Sequence, residues 1–263
     1  MVASCNQGMQ NVSVVIVGAG NLAVNLARAL YNNGFCIAQI YSRTEEAARS
    51  LAQKVNAGFT TDIAQITTRA SVYFVALTDS ALTELAPQLA KGREQGLWVH
   101  TAGSIPANVW QGYAPRYGVF YPMQTFSKSY ETDFRQLSIF VEAHAPGDAE
   151  ILKCIALSLT DKVYEVDSNQ RKKLHLAAVF ACNFANHMYT LSARVLEDAG
   201  IPFESMLPLI DETARKVHHL PPQQAQTGPA VRADVDVINE HLSMLNAEMQ
   251  TLYKQITQSI CQQ

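Results

Sequence analysis

Residues 12–23 read VSVVIVGAGNLA, and this stretch decides the fold class. The apolar, β-branched run at residues 12–17 is typical of a strand that is buried on both faces. The pattern G-x-G-x-x-A follows it at once. Gly18 permits a tight turn, Gly20 lets the backbone approach a pyrophosphate, and Ala23 is small enough for a helix to pack on the sheet. This order of strand, glycine turn and helix predicts a dinucleotide-binding site.

Short apolar runs alternate with helical patterns as far as residue 166. The predicted strands are 12–17, 36–41, 71–77, 97–101, 117–120, 137–142 and 162–166, and the predicted helices are 22–30, 45–55, 82–90 and 149–159. Strands that alternate with helices imply βαβ units and a parallel sheet. We therefore expect an α/β fold with a doubly wound, mostly parallel Rossmann sheet.

The second half of the chain is predicted to be helical throughout. Residues 168–199 contain no Gly or Pro and are apolar on nearly all sides, which indicates a long helix buried in a helical domain or against a partner chain. Another helix is predicted at 204–219. The final region carries an amphipathic stripe of Ile238, Leu242, Leu245, Met249, Leu252, Ile256 and Ile260. The pattern divides the chain into a Rossmann domain, 1–167, and a helical domain, 168–263, for substrate binding and dimerisation.

Ligands in a doubly wound sheet lie at the carboxyl ends of the strands. The second strand ends in YSRT, the third clear strand in ALTDS and the next one in HTAGS, which would lie near a nicotinamide. Asp79 in the ALTDS stretch is equally well explained as a helix cap. The predicted cofactor-binding residues are Gly18, Ala19, Gly20, Asn21, Leu22, Ala23, Ser42, Arg43, Thr44, Leu77, Thr78, Ala102 and Gly103.

The tip of the second strand favours NADP over NAD. An NAD site usually has an acidic residue there, which binds the ribose 2′-hydroxyl. This chain has Arg43 instead, whose planar cation suits a 2′-phosphate, flanked by the hydroxyls of Ser42 and Thr44. Thr44 is alternatively the N-cap of the next helix. Glu45 and Glu46 oppose a phosphate mildly but fit a first helical turn.

Composition excludes several classes of protein. Lys plus Arg is 20 and Asp plus Glu is 23, so the net charge of −3 argues against nucleic-acid binding. No apolar run approaches the ~20 residues that span a bilayer. The polar segment 1–10 is not a signal peptide, and the five scattered cysteines predict reduced thiols in the cytoplasm. The sequence has no close pairing of Cys and His residues, so no metal site is predicted.

The GAGNLA loop, the YSRT tip and the long helix after residue 168 resemble the superfamily of pyrroline-5-carboxylate reductase and 6-phosphogluconate dehydrogenase-like proteins. The closer resemblance is to NADP oxidoreductases with a Rossmann-like N-terminal domain and a helical C-terminal domain of unknown function. It is carried by HTAGS (100–104), YPMQTF (121–126), RKKLHLAAVFACNF (171–184) and TGPAVRAD (227–234). The resemblance implies NADP and homodimers built through the helical domain, and it leaves the substrate open.

The chain departs from the pattern of this subgroup at two positions. Tyr121 stands where the subgroup commonly has histidine, and Ala233 stands where it has glycine. The Gly-x-x-x-Lys-x-x-x-Asn helix of the related hydroxyacid dehydrogenases is also missing in its usual spacing, which argues against hydroxyacid chemistry.

Polar groups on the otherwise apolar long helix are the candidates for catalysis. His175 could protonate a reduced carbonyl or imine. His175 lies on one stripe of the helix with Val179, Cys182 and Asn186. Asn183 is next to that stripe, and Lys173 could bind an anionic substrate. Each has an alternative role. His175 could be a hydrogen-bonded core residue, Asn183 could be a buried partner or a dimer contact, and Lys173 could be part of a solvated helix start.

Four further residues are predicted to bind a small-molecule substrate: Ser104, Gln124, Thr125 and Thr227. Gln124 and Thr125 could instead form a plain loop, and Thr227 could begin a helix. Two functions remain open: an NADP(H)-dependent oxidoreductase for a small, anionic carbonyl or imine compound, and a non-catalytic NADP(H)-binding redox sensor or structural protein.

Overall fold

The apolar run before Gly18 forms a central strand of a single large sheet. The computed structural model describes residues 12–262, so the segment 1–10 and Cys5 lie outside the described residues. The strands are β1 (Ser13–Val17), β2 (Cys36–Tyr41), β3 (Gly58–Thr60), β4 (Val72–Val75), β5 (Leu97–His100), β6 (Tyr117–Met123), β7 (Ser138–Ala143) and β8 (Val163–Glu165). The helices between them are α1 (Asn21–Asn32), α2 (Glu45–Lys54), α3 (Asp79–Ala90) and α4 (Pro146–Leu159).

The sheet has the strand order β3-β2-β1-β4-β5-β6-β7-β8. Every neighbouring pair is parallel except β6 and β7, which are antiparallel. The order reverses between β1 and β4, and in doubly wound sheets ligands bind at such a switch point. The predicted Rossmann fold is confirmed, and the carboxyl ends of β1, β2, β4, β5 and β6 share one edge.

Two apolar layers cover the two faces of the sheet. Side chains of α1, α2 and α4 form one layer around Ile16 and Phe120. Side chains of α3 and of the segment after β5 form the other, around Trp98 and Trp110. The strands β1, β4 and β5 contribute alternate residues to both layers, which explains why they are apolar along almost their whole length.

The remaining helices follow β8. They are α5 (Ser168–Ala178), a π-helical segment (Val179–Phe184), α6 (Ala185–Asp198), α7 (Leu207–Lys216), α8 (Pro222–Ala225), α9 (Val235–Ser243) and α10 (Ala247–Cys261). A capping box fixes where α5 begins, because Asp167 accepts the amide of Gln170 at 2.8 Å and the Gln170 side chain accepts the amide of Asp167 at 2.9 Å. The chain forms two compact units, Met1–Asn186 and His187–Gln263.

Several local features differ from the sequence-based expectations. Strand β3 was not predicted, since it is only three residues long and contains Gly58. The long helix is present but has a π-helical segment in it, and the final amphipathic region consists of two helices, α9 and α10. Ala233 has a φ of 52°, in the left-handed region that favours glycine, which the related subgroup has at this position.

The thiols also differ in part from the expectation. Cys36, Cys182 and Cys261 are free, as predicted. Cys154 is disulfide-bonded, so the prediction that every cysteine is reduced is wrong for this residue. Within residues 12–262, no helix combines the length and the apolar character that crossing a membrane requires.

Candidate functional site

Gly18 makes the turn from β1 into α1. Its φ is +124°, and its amide donates to the carbonyl of Tyr41 at 2.7 Å. A Cβ at this position would collide with the carbonyl oxygen of Ala76 at the end of β4 and lie 3.1 Å from its carbon. Only glycine satisfies both the backbone conformation and the close approach of β4.

Gly20 has the opposite surroundings. A Cβ built on it has nothing within 4 Å, so this side of the loop faces open space. Gly20 is the N-cap of α1, and neither a capping side chain nor an acidic residue covers the first turn. The first backbone N–H groups of α1 are therefore available to an anion. A loop with free amides and no side chain on its open face fits a pyrophosphate.

The tip of β2 offers a cation and hydroxyls, as predicted. Arg43 is exposed and Ser42 is half-buried, with its hydroxyl accepting the amide of Thr44 at 3.3 Å. Thr44 is the N-cap of α2 by position, but its side chain makes no capping hydrogen bond. Glu45 pairs with Arg49. One of the two carboxylates near the tip is thus neutralised by another side chain, while Arg43 makes no ion pair among the described residues.

The ends of β4 and β5 are joined by a hydrogen bond. The Ser104 hydroxyl donates to the carboxylate of Asp79, the first residue of α3. Thr78 is the N-cap of α3 and makes no side-chain capping bond. Leu77 packs against the apolar layer that faces α3. Asp79 therefore holds the loop after β5 rather than capping its own helix.

His100, the last residue of β5, supports the loop that follows this strand. Its side chain is fully buried, and its Nδ1 accepts the amide of Ala102 at 3.2 Å. Burial, and secondly the charge of Arg171, lower the pKa of His100 to about 3, while the Pro106 carbonyl acts in the opposite direction. His100 is neutral near pH 7 and supports the turn that carries Gly103.

Gly103 lies against the imidazole of His175. A Cβ at Gly103 would be 2.6 Å from Nδ1 and 2.7 Å from Cγ of that ring. Its φ is not in the left-handed region, so close approach rather than turn geometry explains the glycine. The approaching group is His175, which sequence reasoning had not paired with this position.

Tyr121 contacts the same imidazole from β6. Its hydroxyl is 3.2 Å from His175 Nδ1, and the two rings meet edge to face, with centroids 6.2 Å apart. Burial raises the pKa of Tyr121, opposed by Arg171 and reinforced by Cys182. The phenol therefore keeps its proton near pH 7.

Arg171 anchors α5 to the sheet one turn before His175. It is fully buried, forms an ion pair with Glu142 of β7 and donates to the carbonyl of Ile105. The Ser168 hydroxyl lies 2.8 Å from Glu142 Oε1. Sequence reasoning missed this network, since nothing in the spacing of these residues distinguishes a buried arginine from the exposed lysines that follow it.

The other two catalytic candidates are placed differently. Asn183 is exposed in the π-helical segment. The i→i+5 bonds of a π-helix add residues to each turn, which rotates Asn183 towards the face of His175. Lys173 is exposed and two residues from His175, so they do not share a face, whereas Lys172 is nearer to that face.

The predicted substrate residues fall in separate places. Ser104 lies beside Gly103. Gln124 and Thr125 are exposed just after β6, and the amide of Thr125 donates to the Gln124 side chain at 2.8 Å. Thr227 belongs to the C-terminal unit, where it helps to line a cavity of about 510 Å³. Their substrate contacts stay predictions.

The geometry defines a class of protein: a dinucleotide-binding α/β protein with a histidine beside the second of two glycine-bearing loops. The comparisons agree. Residues 13–101 match the family described as NADP oxidoreductase, coenzyme F420-dependent, and residues 137–260 match DUF2520, a domain of unknown function. A Bacteroides fragilis protein, provisionally named an NADP oxidoreductase, is 57% identical, with a TM-score of 0.93 over 97% of this chain and 100% of that one.

The chain belongs to this NADP oxidoreductase family. The predictions of an oxidoreductase and of NADP as its cofactor are confirmed at this level. A Thermotoga maritima protein has 23% identity and a TM-score of 0.79 over 95% of this chain and 100% of that one. An imine reductase of Myxococcus stipitatus, in complex with NADP+, has 17% identity and a TM-score of 0.67 over 95% and 92%. These two show the fold alone. No curated protein matches the chain.

Proposed function

We propose that the protein is an NADP(H)-dependent reductase or dehydrogenase of a small carbonyl or imine compound. The observation that carries this proposal is the His175 imidazole, packed on Gly103 at the end of β5, on the sheet edge where the phosphate loop also lies. A proton-transfer group thus stands at the edge where doubly wound folds bind their cofactor.

The cofactor is assigned to the backbone cradle and the β2 tip. The amides that follow Gly18 and Gly20 bind the pyrophosphate, and Arg43 binds the 2′-phosphate with Ser42 and Thr44. Ala102 and Gly103 border the nicotinamide. The exposed guanidinium of Arg43, which makes no ion pair with any other residue of 12–262, supports NADP over NAD, because charge-assisted bonds to phosphate need a cation that no carboxylate already holds.

Reduction of a C=O or C=N bond consumes one hydride and one proton and yields an alcohol or an amine. NADPH supplies the hydride when bound, and the chain has to supply the proton. We assign the proton to His175, and we assign hydrogen bonds to the substrate to Ser104, next to Gly103 in the chain, and to Asn183, about two helical turns after His175. Lys172, which is exposed three residues before His175 and nearer to its face than Lys173, favours an anionic substrate.

Labelled cofactor tests this function. The protein is incubated with NADPH deuterated on either face of C4 and a panel of small cyclic imines and 2-oxo acids, and the products are analysed by mass spectrometry. We expect deuterium from one face only. His175→Ala should lower turnover at least about tenfold and leave NADPH affinity unchanged.

His144→Ala is the matched control, since His144 is another tyrosine-bonded histidine beside β6, with its Nδ1 3.1 Å from the Tyr117 hydroxyl. Unchanged turnover in His175→Ala would remove this residue from the reaction. Tight NADPH binding without turnover on any compound, together with partner binding that depends on the cofactor's redox state, would support the non-catalytic sensor.

We further propose that the protein acts as a homodimer through its C-terminal unit. From His187 to Gln262, Ala230 is the only buried residue, at 9% exposure. Large apolar side chains there are exposed instead, including Leu209, Val217, Val235 and Met244. A helical unit without a core is not stable alone, and apolar faces of this extent mark interfaces.

Light scattering after size-exclusion chromatography tests the dimer. We expect twice the mass of 28.9 kDa. Replacing Met244, which is 69% exposed in the single chain, by Asp should shift the protein towards monomers, whereas Tyr130→Asp, at an exposed site of the other unit, should not. A monomeric native protein would contradict the proposal.

A further inference from the structure

The His175 imidazole is held in place on one side of its ring. Two elements contact it: the loop after β5, through Gly103, and β6, through Tyr121. Both contacts are on the Nδ1 side of the ring. Because the two nitrogens of imidazole lie on either side of one carbon, Nε2 is directed away from these contacts.

We propose that Tyr121 is a positioning residue for His175, and that with Gly103 it makes Nε2 the proton-donating atom. This inference rests on the proposed function, in which His175 supplies the proton. In the neutral ring the Tyr121 hydroxyl donates to Nδ1, so the ring proton is held on Nε2. The acid is the imidazolium: it gives its Nε2 proton to the product and is left as a neutral ring with its proton on Nδ1, where the Tyr121 oxygen accepts it, and solvent then returns a proton to the ring. A proton-transfer group oriented by a second side chain is the general arrangement of such sites.

The surroundings of Tyr121 support a fixed donor. Tyr121 is only 9% exposed, and its ring packs against Phe140 of β7, with centroids 6.4 Å apart. Burial raises the pKa of the phenol, which keeps the hydroxyl proton available for donation. The backbone of β6 is paired with β5 over residues 117–119 and with β7 over residues 118–123, where Tyr121 is opposite Phe140, so the hydroxyl is carried by a rigid element.

Arg171 completes the support. Residues 171 and 175 are one helical turn apart and share a face of α5. Since Arg171 is tied to Glu142 and to the Ile105 carbonyl, the rotation of α5 about its axis is fixed. The position of His175, on the next turn of α5, is therefore fixed against Tyr121 and Gly103.

The tautomer of His175 can be measured without any substrate. Full-length protein labelled with ¹⁵N-histidine is studied by long-range ¹H–¹⁵N NMR near pH 8, and His175→Gln assigns the signal. We expect the Nε2–H tautomer to predominate. Tyr121→Phe removes one neutral hydrogen bond to Nδ1 and should lower the ratio of Nε2–H to Nδ1–H about fivefold.

Tyr117→Phe is the matched control, because Tyr117 lies on the same strand and its hydroxyl is 3.1 Å from His144 Nδ1. It should change the His144 signal and leave that of His175 unaltered. An unaltered His175 tautomer ratio in folded Tyr121→Phe, or a predominant Nδ1–H form in the native protein, overturns the inference.

Gly103→Ala gives an independent measurement. Its methyl would strike the imidazole, so the His175 signals should shift while those of His144 stay in place. Failure of the proposed function would be recognised separately: the tautomer would respond to Tyr121→Phe, but His175→Ala would leave turnover unchanged. Unshifted His175 signals in Gly103→Ala would refute the packing on which the inference depends.

Discussion

The two glycines of the phosphate loop should fail in different ways when each is replaced by alanine. Gly18 has a φ of +124°, and its Cβ would collide with the backbone of Ala76. Gly20 has a φ of −75°, which alanine adopts readily, and its Cβ would enter open space. The first substitution should damage the fold, and the second should damage only cofactor binding.

The magnitudes follow from these surroundings. A strained backbone conformation costs about 1–3 kcal/mol, and the collision with the rigid strand β4 adds to it, so Gly18→Ala should lower the free energy of unfolding by at least about 3 kcal/mol. Gly20→Ala should change it by less than about 1 kcal/mol. Its methyl group would occupy the space of the pyrophosphate, and we expect at least about a tenfold loss of NADPH affinity.

Urea unfolding without and with NADPH separates the two effects. NADPH at one hundred times its dissociation constant should stabilise the native protein by about 2.7 kcal/mol, and a tenfold weaker site reduces this to about 1.4 kcal/mol in Gly20→Ala. Calorimetric titration gives the affinity directly. Native-like stability in Gly18→Ala, or native-like NADPH affinity in Gly20→Ala, would refute the reasoning.

Three other substitutions test the cofactor choice, the buried histidine and the strained alanine. Arg43→Ala should weaken NADPH binding at least about tenfold and NADH binding little, as measured by titration. Arg69→Ala, at another exposed arginine, is the control and should leave NADPH binding unchanged; equal losses of NADPH and NADH affinity in Arg43→Ala would exclude the 2′-phosphate contact. The pKa of His100 is lowered to about 3 in the native state, so the native state should lose stability as the pH falls below ~6.5, by about 2 kcal/mol at pH 5. His100→Gln should remove this part of the pH dependence, as measured by urea unfolding. Ala233→Gly should raise the free energy of unfolding by roughly 0.5–1 kcal/mol, since φ is 52°, and a loss would contradict the strain.

The fold could be predicted because its signals are local. Each strand that contributes to the centre of the sheet has an unbroken apolar run, and β2 lies at Cys36–Tyr41 as predicted. Strand β3 is stabilised by pairing with β2 rather than by its own sequence, GFT, so no local signal exists. The π-helical segment is likewise invisible, because α and π spacing need the same residue types over so short a stretch.

The candidate site could be predicted only where a motif carries the chemistry. The glycine loop and the tip at Arg43 follow from phosphate chemistry and strand ends. The contact of Gly103 with His175 joins residues far apart in sequence, and its only sequence signal was the glycine itself, which indicates either a close approach or a left-handed turn. Tyr121 was noticed as a departure from related sequences, and its partner is evident only from the position of α5 on the sheet.

The buried pair Arg171–Glu142 explains how one helix can hold a reactive side chain accurately. Removing a guanidinium from water is costly. Here a carboxylate, a backbone carbonyl and the Ser168 hydroxyl offset that cost. They do so only when α5 has one rotation about its axis and one position along the sheet. An apolar contact would tolerate sliding, whereas this charged network does not. The position of His175 against Tyr121 is therefore set one turn earlier, by a charge that takes no part in the proposed proton transfer.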